Sequence, residues 1–135
     1  MTLFEEYMQA AKGLVVISTA VDNQPSSRLM GFAPDPNQPN VWYLVSQPDA
    51  TKVKELAQNK RVAILTLLNE NGARIESNQA TMVPSDKQWS EVASYFKAPI
   101  FSKMHPHPEE EVLYQLTIHS ARLASYAGNE NVTFD

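Results

Sequence analysis

Residues 26–52 read SSRLMG (26–31), FAPDPNQPN (32–40), VWYLV (41–45) and SQPDATK (46–52). From about Ser26 to Ala33 the chain is extended, with Arg28, Met30 and Phe32 on one face and Leu29, Gly31 and Ala33 on the other. Three prolines between Pro34 and Asn40 make the next segment an exposed loop. Val41 to Val45 returns as a strand, and the run from Ser46 to Lys52 turns into a helix that starts near Thr51 and Lys52. An arginine, two hydroxyls, a lysine and a helix N-terminus therefore converge. Fixed cations, charge-assisted hydrogen bonds and orphan backbone N–H groups hold a phosphate without a glycine-rich loop. The interleaved apolar residues would wall a larger group attached to that phosphate.

Outward from this stretch, Thr2 and Glu5 form a capping box ahead of Phe4, Tyr7, Met8 and Ala11 at helical spacing, and Gly13 suits a left-handed stop. Leu14 to Val21 is β-branched and almost wholly apolar, which predicts a buried strand, and Asp22-Asn23-Gln24-Pro25 a turn. Val53, Leu56 and Ala57 mark the inner face of a helix ending near Asn59-Lys60. Arg61 to Leu68 predicts another apolar strand, Asn69-Glu70-Asn71-Gly72 a hairpin turn, and Ala73 to Val83 a more polar strand. Ser85 with Gln88 reads as a second capping box before Trp89, Val92, Ala93 and Phe96, and Pro99 as the end of that helix. His105-Pro106-His107-Pro108 is a rigid loop leading to Glu109-Glu110-Glu111, and Leu113 to Ile118 and Ala121 to Tyr126 read as one or two closing strands.

With 135 residues, of which 43% are hydrophobic and 19% charged, the chain suits one globular domain spanning 1–135. A net charge of −4 sets it against nucleic acid and anionic membranes, so an anion site must be a local pocket. The absence of cysteine excludes disulfides, thiolate catalysis and cysteine-ligated zinc. The chain shows no signal-peptide pattern and no apolar run of the roughly 20 residues that span a bilayer, so a cytoplasmic protein is expected. Short strands joined by hairpins, with few helices and a single strand–helix–strand unit from Val41 to Leu68, predict a mainly β protein. Flanking helices and an antiparallel, Greek-key barrel complete the expectation.

The cues follow in order: an opening helix, an apolar strand, the Arg28-bearing strand, a strand ending in Ser46, Thr51-Lys52 on a helix, and the Arg61-Val62-Ala63 strand. From about Leu3 to Leu123 this resembles the pyridoxamine 5′-phosphate oxidase-like family of FMN-binding split barrels, whose short members are often labelled general stress proteins. The resemblance implies a homodimer with a flavin groove at the subunit interface and FMN as cofactor. It also implies residue roles: Arg28 on the phosphate, the backbone of Leu29, Met30 and Gly31 along the ring or ribityl chain, Val45 and Ser46 at the phosphate arm, and Thr51 with Lys52 as the phosphate-binding pair. Two departures stand out. Ser77-Asn78-Gln79-Ala80 replaces a common glycine before the final alanine of its strand, which leaves the strand geometry there open. The Arg-rich, substrate-binding C-terminal segment of full pyridoxamine phosphate oxidases has no counterpart in Ala127 to Asp135, which argues against that reaction.

The implied function is FMN-dependent oxidoreduction of an unidentified small substrate, with a nicotinamide cofactor (NADH or NADPH) or a small organic acceptor as partner. The alternatives are a non-catalytic flavin-binding or electron-carrying protein, or a haem- or F420-binding relative on the same fold. Flavin chemistry needs placement and electrostatics more than a catalytic triad, and none is readable. The plain alternative makes Arg28 a solvated edge-strand residue and Lys52 a surface one. Arg28's apolar neighbours, among which an unpaired cation would be costly, favour the phosphate role. His105 and His107 lack a third metal ligand at defined spacing, so no metal is expected, and the three glutamates are expected to face water or start a helix. His119 reads as structural and Trp89 as core or interface, with flavin stacking its alternative. Of Trp42 and Tyr43, one is expected to be buried and the other to meet a partner subunit.

Overall fold

The structure, a computed structural model, describes residues 1–134. Its strands are β1 (Leu14–Val21), β2 (Gln24–Gly31), β3 (Ala33–Pro34), β4 (Val41–Ser46), β5 (Arg61–Thr66), β6 (Arg74–Pro84), β7 (Val112–Ser125) and β8 (Gly128–Thr133). All pairs are antiparallel, in the order β2-β1-β5-β6-β7-β4-β3, with β8 on β7. The two ends of that order, β2 and β3, are consecutive in the chain and separated only by Phe32. The extended segment thus pairs with β1 up to Gly31, bends, and pairs with β4 from Ala33, which curls the sheet into the split barrel. The sequence-predicted strand from Ser26 to Ala33 is therefore two strands serving two neighbours. The turn before it is tighter than expected: Asp22 and Asn23 take positive φ, while Gln24 and Pro25 already belong to β2.

Four helices flank the sheet: α1 (Leu3–Ala10), α2 (Thr51–Gln58), α3 (Trp89–Val92) and α4 (Pro99–Met104). Thr2 caps α1 by accepting the Glu5 N–H at 3.2 Å, but the Glu5 carboxylate takes the Thr2 hydroxyl at 3.0 Å rather than a backbone donor. Phe4 and Met8 of α1 enter the barrel core, where Phe32 stacks on Trp42 with ring centroids 3.9 Å apart. No helix among the described residues is long and apolar enough to cross a membrane.

Several expectations are corrected. β1 alternates rather than being wholly buried, with Val15, Ile17 and Thr19 inward. The α3 N-cap is Gln88, whose N–H reaches the Glu91 carboxylate at 2.6 Å, not Ser85. Pro99 opens α4 instead of closing the preceding helix, because a proline at the first helical position forfeits no hydrogen bond. The closing strands are one continuous β7, and β8 folds back on it from the polar tail, which carried no strand signal. The helix α2 joins β4 to β5, but these strands are not neighbours: β7 and β6 lie between them. The segment Ser77 to Gln79 sits at two register shifts in β6, so the missing glycine coincides with a bulged ladder.

Trp42 and Tyr43 are both buried, which corrects the expectation that one meets a partner subunit. β4 is covered on both faces: Trp42 and Leu44 face the barrel core, while Val41, Tyr43 and Val45 pack against Val92 and Phe101 of α3 and α4. Trp89 completes that second layer, stacking on Phe101 at 5.8 Å.

Candidate functional site

Arg28 lies directly opposite Ile17 in the β1–β2 ladder, and opposed residues share a face, so its side chain runs along the inner face towards α2. Its Nη1 donates to Thr19 Oγ1 at 2.9 Å and to Ile17 O at 3.2 Å, and its Nη2 to Glu55 Oε1 at 2.9 Å. Thr19 in turn donates to the same Glu55 oxygen at 3.0 Å. With side chains only 21% and 15% exposed, Arg28 and Glu55 form a part-buried ion pair rather than a solvated one.

Lys52 stands three residues before Glu55 on α2, hence on nearly the same helical face. Burial holds its ammonium below the usual lysine range, and the positive charge of Arg28 pushes the same way, while Glu111 pulls against both. The two cations expected to share a phosphate thus both lie along α2, Arg28 through its pair with Glu55 and Lys52 one turn earlier. Ala50 precedes Thr51 as N-cap and offers no side-chain acceptor, so the first N–H groups of α2 lack a side-chain cap. Ser46, buried at the end of β4, donates to Gln47 O at 3.2 Å, and the Thr51 hydroxyl is exposed.

The other expected contacts divide by face. Leu29 projects outward and is 47% exposed, Met30 is in the core, and Gly31 packs so closely on Phe101 that an added Cβ would lie 3.4 Å from its ring. Val45 is buried in the layer under α3 and α4. Met30, Gly31 and Val45 therefore have only backbone to offer a ligand. β2 can offer it, since it is a terminal strand whose far edge pairs with no other strand among the described residues.

The sequence reading missed Thr19 and Glu55, and it did not pair His105 with Glu111. The cost of an unpaired cation among apolar residues, which in the sequence favours a phosphate on Arg28, is already met within the chain by Glu55. Glu111 corrects the expectation of solvated glutamates: its side chain is 1% exposed and accepts from His105 Nδ1 at 2.8 and 3.0 Å. Glu109 and Glu110 are exposed, as is His107. His119 meets the Thr81 hydroxyl at 3.3 Å across β6 and β7.

Residues 7–130 match the family model described as pyridoxamine 5′-phosphate oxidase-like. The chain belongs to this family. Members and relatives of known structure share the fold at low identity. The general stress protein 26 of Bacillus anthracis str. Sterne is 19% identical, with 99% of this chain and 100% of that one covered and a TM-score of 0.71. A haem-binding protein from Mycobacterium smegmatis is 16% identical over 98% of this chain and 58% of its own, with a TM-score of 0.70. An FAD-binding protein from Mesorhizobium loti is 17% identical, covering 90% and 94%, with a TM-score of 0.63. No curated protein is significantly similar to this pyridoxamine 5′-phosphate oxidase-like chain in sequence.

Proposed function

We propose that the chain binds FMN as a homodimer and works as an FMN-dependent oxidoreductase on a small organic substrate. The observation that supports this reading is that Arg28 pairs with Glu55 of α2 while Lys52 stands one turn earlier at the uncapped start of the same helix, in a chain of the pyridoxamine 5′-phosphate oxidase-like family. A phosphate monoester near charge −2 suits two cations, and the Thr51 hydroxyl and free N–H groups supply further donors. The free edge of β2 from Leu29 to Gly31 offers amide groups for the polar edge of a flavin ring. FMN, when bound, supplies the electron-carrying ring, and the chain supplies its placement. The composition keeps a cytoplasmic setting, with a nicotinamide cofactor or small organic acceptor as the other partner.

A dimer face is supported by a row of apolar residues on the outside of the sheet. Leu29, Val16 and Leu65 are cross-strand neighbours on β2, β1 and β5, and Leu29 and Leu65 are 47% and 42% exposed.

Changing Lys52 to Ala tests the phosphate site without orphaning a buried partner, since Lys52 holds no ion pair among the described residues. In Lys52→Ala, FMN affinity measured by flavin fluorescence falls at least about tenfold while riboflavin affinity and thermal stability stay unchanged. Equal losses for FMN and riboflavin would count against the assignment. The haem-binding relative with this fold supports a second reading, in which the purified protein takes up haemin and shows a Soret band instead of binding flavin.

A further inference from the structure

We propose that Glu55 holds part of the phosphate's place on Arg28, so that a phosphate monoester competes with an internal carboxylate for the guanidinium. The proposal rests on the reading of Arg28 and Lys52 as a phosphate site and deepens it: Glu55 sets how strongly the site favours a dianionic ligand.

The hydrogen-bond pattern separates what fixes the guanidinium from what occupies it. Nη1 is tied to β1 through Ile17 O and Thr19 Oγ1, with a longer 3.4 Å contact to Ser26 O on β2 itself. These anchors come from β1 and β2 rather than from α2. Nη2 gives one hydrogen to Glu55, while Nε and the second Nη2 hydrogen have no acceptor among the described residues. Two donors of the fork are thus open, and a third is held by a group that can leave.

Glu55 is weakly tethered by comparison. Both of its contacts, from Arg28 and Thr19, use Oε1 alone, and Oε2 accepts no hydrogen bond among the described residues. It lies one helical turn beyond the start of α2, so a phosphate seated at Lys52 and the first N–H groups would lie close to its carboxylate. The charges near that point are Arg28 and Lys52 against Glu55 and Glu111, and Glu111 is engaged with His105. With Glu55 in place, a dianion meets two acids along with its two cations. With Glu55 swung aside, a net attraction remains. Cofactor retention by exchange, rather than permanent capture, is the consequence.

Titrations followed by flavin fluorescence decide the matter: FMN and riboflavin, which share the ring but not the phosphate, against the wild type, Glu55→Gln and Lys52→Ala. Glu55→Ala is carried alongside as a second variant, and thermal melts verify folding in each. In Glu55→Gln and Glu55→Ala, FMN binds about tenfold tighter than in the wild type, and riboflavin affinity is unchanged. A residue with only a structural role would move both ligands together. If Lys52→Ala weakens FMN but neither Glu55 variant tightens it, the exchange is wrong and the phosphate site stands. If FMN binds no better than riboflavin in all of these proteins, the phosphate site falls and the exchange with it.

Discussion

Tyr43 shows how one hydroxyl decides the state of two groups. Its ring is buried under α3 and α4, and its OH donates to Asp35 Oδ2 at 2.7 Å in the proline-rich loop. Burial first, then the hydrogen bond to Asp35 and the charge of that carboxylate, push the phenol far above its ordinary value of 10.0. At Asp35 burial works to raise the carboxyl, yet the Tyr43 hydroxyl and the N–H groups of Asn37 and Gln38 outweigh it and leave it below 3.8. A carboxyl depressed in the folded state contributes stability above its unfolded value, and that stability is lost as pH falls through the folded one. Tyr43→Phe is therefore expected to cost about 1.5–3 kcal/mol at neutral pH, the range for a hydrogen bond to a charged group. The gap to wild type narrows as pH drops below 4. Urea denaturation at several pH values measures this, and a gap that stayed constant down to pH 3 would refute the coupling. Arg28 belongs to the same scale. Its position and its need for a partner were legible in the sequence, because a cation among apolar residues is costly. The identity of that partner was not, because Glu55 lies 27 positions away and only the packing of α2 brings it near.

At the scale of elements, Gly13 is the joint on which three of them meet. It ends the α1 turn with φ +78°, and its carbonyl accepts the Phe32 N–H at 2.9 Å, just where the chain bends from β2 to β3. A Cβ built there would lie 2.9 Å from the Ala98 Cβ in the segment before α4. Gly13→Ala thus adds left-handed strain to a clash with backbone-bound carbon, at a combined cost of about 2–4 kcal/mol. Gly72→Ala carries the same strain at φ +72°, but the atoms it meets belong to the exposed Tyr126 ring, which can swing away. Chemical denaturation should rank Gly13→Ala as clearly the more damaging, and the reverse order would undo this account of the joint. Local signals located both glycines correctly as a helix stop and a hairpin turn. They misplaced Ser85 and Pro99, since one serine or proline fits either side of a helix end and tertiary contacts choose between them.

Across the whole molecule, the barrel sorts the Ser26–Ala33 segment into three environments: Arg28 under α2, Met30 in the core, and Leu29 on the outer face. The outer row with Val16 and Leu65 is the proposed dimer face, and Leu65 stands opposite Glu76 on β6. Leu65→Lys places a charge in that face while offering Glu76 a favourable cross-strand pair, so folding is preserved. Light scattering is expected to show the wild type at the mass of two chains and Leu65→Lys at one. A variant that stayed dimeric would remove this face from consideration.

Alternation of apolar residues, turn chemistry and capping residues determined the antiparallel strands and most helix locations. These depend on neighbours a few residues apart, which is the range over which backbone propensity acts. Tertiary structure alone decided that β2 and β3 split at Phe32 to curl the sheet, that the polar tail forms β8, and that Glu55 and Glu111 stand beside the cations. Those outcomes come from pairings across tens of residues, where burial of the whole sheet sets the partner and no local pattern records it.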